Sequence, residues 1–159
     1  MKLTDFVQPE AVVAPLESTE RDEVIKLLVD RLVAAGAAPK SIRDELVDQI
    51  LTREKQGSTG FGRGVAVPHV KHEKVKKIAA AVGVSPTGID FNALDKGPVY
   101  SVFLLMSPKD QPDQHLQAME NIFSNLQNDR FRKFLRQAST PEEVVDLLEE
   151  SDAQKLTSG

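Results

Sequence analysis

Two runs of this sequence are apolar almost without interruption: Ile78-Ala79-Ala80-Ala81-Val82-Gly83-Val84 and Val99-Tyr100-Ser101-Val102-Phe103-Leu104-Leu105-Met106. A strand with one face in water alternates apolar and polar residues; a strand covered on both faces has no such constraint. The two runs therefore predict interior strands of a sheet with helices packed on each side. A chain of 159 residues can bury roughly two thirds of its unfolded surface, enough for such a core without any covalent staple.

The rest of the sequence supplies the helices. Ala11-Val12-Val13-Ala14 reads as a short strand, and Ser18 or Thr19 opens a segment in which Val24, Leu27, Leu28, Leu32 and Val33 recur at helical spacing until Gly36. Ser41 with Asp44 resembles a cap for a second helix, its face marked by Ile42, Leu46, Ile50 and Leu51 and its end near Glu54. Pro112 stands near the start of a third helix with Leu116, Met119, Phe123 and Leu126 as the expected buried stripe, which puts His115 in or beside the first turn, at the positive end of the helix. A short helix around Phe131, Phe134 and Leu135 follows. Thr140-Pro141-Glu142-Glu143 is a capping box opening a last helix through Val144, Leu147 and Leu148. Strands mixed with helices on either side give a single three-layer α/β domain, a mixed sheet between helices, over residues 1–150, with a tail expected to fray from Ser151 to Gly159.

Between the second helix and the first apolar run the pattern breaks. Gly57-Ser58-Thr59-Gly60-Phe61-Gly62-Arg63-Gly64 has four glycines in eight residues and reads as a loop. Val65-Ala66-Val67 is a brief strand ended by Pro68, which has no amide hydrogen to continue a ladder, so His69 is expected at a strand end on the rim of the sheet.

Several function classes are excluded or disfavoured. Without cysteine there is no thiol nucleophile, disulfide or thiolate metal site, a composition suited to a reducing cytoplasm. Met1-Lys2-Leu3-Thr4-Asp5-Phe6 lacks the apolar run of a secretion signal, and no stretch approaches the roughly eighteen apolar residues of a membrane span, so a soluble cytoplasmic protein is expected. A net charge of −4 and a pI near 5.4 argue against general attraction to nucleic acid; Lys71, Lys74, Lys76 and Lys77 are the one basic cluster. The glycine-rich loop lacks the lysine-serine or lysine-threonine ending of a nucleotide phosphate loop.

Three histidines, His69, His72 and His115, carry the side chains that titrate nearest neutrality. A neutral imidazole attacks phosphorus well when one ring nitrogen is held by a backbone carbonyl and the other keeps its lone pair. Such a site needs little more than positioning and charge stabilisation, for which the amides of the Gly57–Gly64 loop, the helix start near His115, and Arg53 or Arg63 are candidates. His72, among lysines, reads as an ordinary surface residue. A hydrolytic metal site on His69, His72 and His115 is the weaker reading, because no carboxylate completes a ligand spacing.

The segment Arg53-Glu54-Lys55-Gln56-Gly57-Ser58-Thr59-Gly60-Phe61-Gly62-Arg63-Gly64-Val65-Ala66-Val67-Pro68-His69 closely resembles the active-site signature of the fructose/mannitol-type EIIA domains of the bacterial phosphotransferase system. The resemblance implies a sheet sandwiched between helices and no cofactor or metal. It implies a phosphoryl carrier in which His69 takes phosphate from an HPr-like donor and passes it to an EIIB-like acceptor or regulated protein. Arg53 maps onto the arginine heading the motif and His115 onto the second active-site histidine; Gly57, Ser58, Thr59, Gly60, Gly62 and Gly64 form the loop expected to cradle phosphate. With no fused EIIB or EIIC segment in the sequence, the resemblance leans toward the nitrogen-regulatory branch over sugar transport. The alternative is a protein-interaction module on the same fold whose output ignores phosphate. Two residues depart from the family pattern: Val70, where glycine is usual, and Arg63, where a small, polar or acidic residue is usual.

Overall fold

The two apolar runs become neighbouring strands. The structure, a computed structural model, describes the backbone of residues 1–158 and the side chains of residues 1–154. Its elements are α1 (Leu3–Phe6), β1 (Val7–Val13), α2 (Arg21–Ala34), a single 3-10 turn at Lys40–Ile42, α3 (Arg43–Gln56), β2 (Gly60–Gly62), β3 (Val65–Ala66), β4 (His69–His72), β5 (Ala79–Ile89), β6 (Val99–Pro108), α4 (Pro112–Leu126), α5 (Asp129–Gln137) and α6 (Pro141–Ser158). The strands form one mixed sheet in the order β1-β5-β6-β3-β2, with β4 also on β6. β5 and β6 run antiparallel from Ala79↔Met106 to Val84↔Ser101; β1 lies parallel to β5, and β3 and β4 lie parallel to β6.

Alternation along β5 and β6 explains why both runs are apolar throughout. Ala79, Ala81, Val102, Leu104 and Met106 enter one core with α2 and α3, while Ala80, Val82, Phe103 and Leu105 enter a second core with α1, α4, α5 and α6. Leu104 and Leu105 are both wholly buried, one in each core, and truncating either to alanine should cost about 2–5 kcal/mol. The three-layer α/β architecture is the one expected.

Local details depart from expectation where polar groups find partners. The first strand begins at Val7 rather than Ala11. α2 starts at Arg21 with no side-chain cap; Ser18 Oγ instead accepts from the Glu20 amide at 3.1 Å and donates to Glu23 at 2.8 Å. Ser41 does not cap α3, because residues 40–42 already turn as a 3-10 segment. In α4 the inward face is His115, Ala118, Ile122, Asn125 and Leu126, and Leu116, expected inside, is 58% exposed. Met119 and Phe123 flank that face, half-buried. The stripe is rotated by about one residue, because His115 and Asn125 have hydrogen-bond partners that make their burial tolerable. Phe134 of α5 is likewise exposed at 47%, leaving Phe131 and Leu135 as its core residues.

The capping box holds in part. Thr140 Oγ1 accepts from the Glu143 amide at 3.2 Å, but the Glu143 carboxylate reaches back to the amide of Ser139, at 3.3 Å, instead of that of Thr140. The helix does not fray at Ser151. Asp152 is 5% exposed, and its carboxylate accepts from the amides of Leu3 and Thr4 at 2.9 and 3.1 Å and from Thr4 Oγ1 at 2.9 Å, pinning the first helix to the last.

Candidate active site

Pro68 sets the position of His69. β3 pairs with β6 at Val65↔Ser101 and Ala66↔Val102, and β4 resumes at His69↔Leu105 and Val70↔Met106 with the register unchanged. The two are one strand line, broken at Val67-Pro68 where proline has no amide to give. His69 therefore opens a strand instead of ending one, and His72 closes the same strand instead of lying in a loop. At the break the Val67 carbonyl turns aside from the ladder and accepts from His69 Nδ1 at 2.9 Å. A carbonyl can only accept, so the proton sits on Nδ1 and the lone pair of the neutral ring stays on Nε2.

Strand alternation distributes the neighbours. Val70 is buried in the core with α2 and α3, so His69 and Lys71 face the other way, toward α4, on the side of Leu105 and Ser107. The valine that replaces the usual glycine thus points away from the histidine.

On that side α4 begins, and its first turn delivers His115. The ring is 7% exposed, its centroid is 5.8 Å from that of His69 with a 57° tilt, and Nδ1 shares a 2.6 Å hydrogen bond with Ser107 Oγ. Burial, then the cation of Lys71, then His69 hold its pKa down at about 4, so the ring is neutral near pH 7.

Arg53 is held by the loop. Its guanidinium Nη1 donates to the Gly57 carbonyl at 2.6 Å, satisfying a carbonyl at the end of α3, and among the described residues no hydrogen bond joins it to His69. The loop is more ordered than its glycines suggested: Gly60–Gly62 and Val65–Ala66 form a short antiparallel hairpin. Its amides are largely occupied. Gly57 N bonds Glu54 O at 3.3 Å, Thr59 N bonds the buried Glu54 carboxylate at 3.1 and 3.2 Å, and Gly60 N bonds Ser58 Oγ at 2.9 Å. Gly62 and Gly64 belong to the hairpin, and Gly64 lies roughly 16 Å along the strand line from His69 at about 3.3 Å per residue. The amides of Gly57, Thr59 and Gly60 hold the loop itself, so their place in a phosphate cradle is taken by internal partners. Thr59 O in turn accepts from Val67 N at 3.2 Å, which ties the loop to the residue carrying the His69 acceptor.

His72 is not an ordinary surface residue. Nε2 lies 3.1 Å from Glu45, Nδ1 accepts from the Lys74 amide at 3.0 Å, and the side chain is 10% exposed. Among the described residues no three His, Asp or Glu side chains converge as a metal site requires. Among the described residues no helix is long and apolar enough to cross a membrane. Sequence reasoning missed Ser107 and Glu54. Ser107 directly follows the second apolar run and its hydroxyl is wholly out of water, and Glu54 stands inside the signature itself; both signals were present in the chain. The sequence marks Lys71 only as part of a basic cluster.

Comparison with known proteins gives matches over nearly the whole chain. A profile described as phosphoenolpyruvate-dependent sugar phosphotransferase system, EIIA 2, matches residues 5–151. A nitrogen regulatory protein of Escherichia coli is 38% identical over 153 residues, 96% of this chain and 92% of that protein. The fructose-specific EIIABC component of Bacillus subtilis is 32% identical over 152 residues, 96% of this chain; the chain spans 24% of that longer protein. The crystal structure of nitrogen regulatory protein IIA-Ntr from Neisseria meningitidis superposes with a TM-score of 0.81 at 26% identity, covering 91% of this chain and 97% of that one.

Proposed function

The chain belongs to the EIIA 2 family of the phosphoenolpyruvate-dependent sugar phosphotransferase system, and from that premise we propose that it carries a phosphoryl group on His69 Nε2. The observation that carries the proposal is the 2.9 Å bond from His69 Nδ1 to the Val67 carbonyl, which fixes the tautomer and leaves Nε2 as the nucleophile.

Transfer from an HPr-like phosphohistidine is a balanced exchange. The lone pair of His69 Nε2 forms the new N–P bond, the donor's N–P bond breaks, and its imidazole departs with the electron pair. His69 becomes an imidazolium on phosphorylation, its proton staying on Nδ1, which donates to the Val67 carbonyl. That bond strengthens as the ring gains charge, a stabilisation greater in the transition state than before it. His115 completes the site. With Ser107 Oγ donating to Nδ1, the proton of the neutral ring lies on Nε2, available to an oxygen of the transferring phosphoryl group. Lys71, on the same face as His69, adds positive charge. Arg53 and the loop from Gly57 to Gly64 act as positioning residues, and a rotation of Arg53 off the Gly57 carbonyl would bring its charge into play. Phosphate leaves for an EIIB-like or regulated protein, and the 38% identity with a nitrogen regulatory protein supports the regulatory outlet over sugar uptake.

The test is incubation with enzyme I, HPr and isotopically labelled phosphoenolpyruvate. The native chain should take up one acid-labile, base-stable phosphate. Equal labelling of His69→Ala would overturn the assignment. Identical partner capture by His69→Ala and His69→Asp chains would instead point to a phosphate-independent module.

A further inference from the structure

Away from the histidines, the start of β6 floors a cavity of about 710 Å³ between the β2–β3 hairpin and α5. Tyr100 and Ser101 of this floor lie roughly 15 Å along the strand from Leu105, the partner of His69, at about 3.3 Å per residue. Four cations line it, Arg63 from the hairpin and Arg132, Lys133 and Arg136 from α5, against two carboxylates, Asp95 and Asp129. Both carboxylates are engaged. Asp95 accepts from the amides of Gly97 and Arg63 at 2.9 and 3.3 Å, and Asp129 pairs with Arg132. Among the described residues no carboxylate pairs with the side chains of Arg63, Lys133 or Arg136, so the cavity is net positive in a chain of net charge −4.

Two of these cations are placed in advance. The Arg136 guanidinium carbon sits 3.5 Å from the Tyr100 ring centroid. Tyr100 is itself wedged, since a Cβ on Gly64 would fall 3.0 Å from its Cδ2 and one on Gly88 would fall 3.4 Å from its Cε1. A guanidinium stacked on a fixed ring loses little further freedom on binding, and its N–H edge remains open to a bidentate anion. Arg63 has φ 61° and Gly64 φ 78°, the left-handed pair of a two-residue hairpin turn, where asparagine, aspartate and glycine are at ease and arginine is not. An arginine held in a strained conformation, on the wall of a basic cavity, is a pointer to what its side chain meets.

We propose that this cavity binds an organic phosphate, with Arg63, Lys133 and Arg136 on the phosphate group. Three cations lining one cavity without a carboxylate partner suit a multiply charged anion better than a single carboxylate. The volume is that of a metabolite site and far exceeds a bare phosphate ion, and Pro86 and Pro98 give it apolar walls for the organic part. The site stands apart from His69 and does not depend on the phosphoryl-carrier reading.

Isothermal titration of the full chain with AMP, glucose 6-phosphate, inorganic phosphate and glucose tests this. At least one of the two organic phosphates should bind saturably, about tenfold or more tighter than inorganic phosphate, with no heat from glucose. The affinity should be unchanged in His69→Ala and should fall about tenfold in Arg63→Asn, whose backbone suits the turn, and in Arg136→Gln. Absence of saturation by both AMP and glucose 6-phosphate up to about 10 mM would refute the proposal. So would equal affinity for inorganic phosphate, loss of binding in His69→Ala, or undiminished binding in both arginine variants.

Discussion

Acid should weaken this fold through His115, and phosphate on His69 should reverse the effect. The ring is held neutral by burial, by Lys71 and by His69, with a pKa of about 4 against 6.5 for a free histidine. Between those values the unfolded chain binds a proton that the folded chain refuses, so stability is full above about pH 6.5 and falls as the pH drops toward 4. At 1.36 kcal/mol per pH unit the full loss is about 3 kcal/mol, of which about 2 kcal/mol is gone by pH 5. Urea unfolding of the native chain and of His115→Gln at pH 8, 5 and 4 isolates the contribution, because other acid-sensitive groups are common to both. The difference between the two proteins should shrink by these amounts on acidification. A phosphoryl group on His69 changes the balance. Taking the 5.8 Å between the rings as the separation and an effective dielectric near 20, each unit of negative charge favours the His115 cation by about 3 kcal/mol. A phosphoryl group of charge near −2 on a ring of charge +1 amounts to about one such unit, which raises the His115 pKa by about 2. Proton NMR of the ring through a pH titration reads both states. A His115 ring that titrates near 6.5 in the unphosphorylated protein, or one that does not move on phosphorylation, would refute the reasoning.

Further perturbations separate placement from chemistry. Ser107→Ala removes the hydroxyl that orients His115 and leaves a buried ring nitrogen unpaired; stability should fall by about 1–3 kcal/mol and phosphate uptake should slow about tenfold, measured by urea unfolding and by rapid-quench labelling. Glu54→Ala frees the Thr59 amide from its buried partner and should cost a similar 1–3 kcal/mol, with faster amide exchange confined to the Gly57–Gly64 loop. Arg53→Ala should leave the melting temperature nearly unchanged, since it loses one exposed bond, yet reduce labelling; labelling at the native rate would confine Arg53 to the end of α3. Asp152→Ala, which uncaps α1, should cost about 1–2 kcal/mol in urea unfolding without altering phosphate uptake.

What could be read from the sequence depends on how far apart the deciding residues stand. The layers were legible because burial on both faces of a strand writes itself locally, as in Val102-Phe103-Leu104-Leu105-Met106, where successive side chains enter opposite cores. The break in the strand at His69 was legible for the same reason, since Pro68 and His69 are adjacent and the interrupted ladder beside the Val67 carbonyl is a local consequence of proline. His115 was placed in the right turn of the right helix, but its burial was not foreseen. Nothing near position 115 announces that Ser107, eight residues earlier on a strand, will satisfy its nitrogen. The expected stripe accordingly turned toward Leu116, which the structure leaves in water.

The loop misled for the opposite reason. Its glycines suggested amides free to hold a ligand, whereas Glu54, outside the glycine run and charged, occupies one of them from a buried position. Val70 and Arg63, the two departures from the family pattern, resolve in the same terms. Alternation sends Val70 into the core behind the histidine, so a side chain there adds packing on the α2 and α3 side without entering the site. Arg63 lies beyond the strand break, in the hairpin, too far along the sheet to touch a phosphate on His69 directly. A residue strained where asparagine would relax, and placed among cations of α5, lies on the wall of the second cavity and not in the first site.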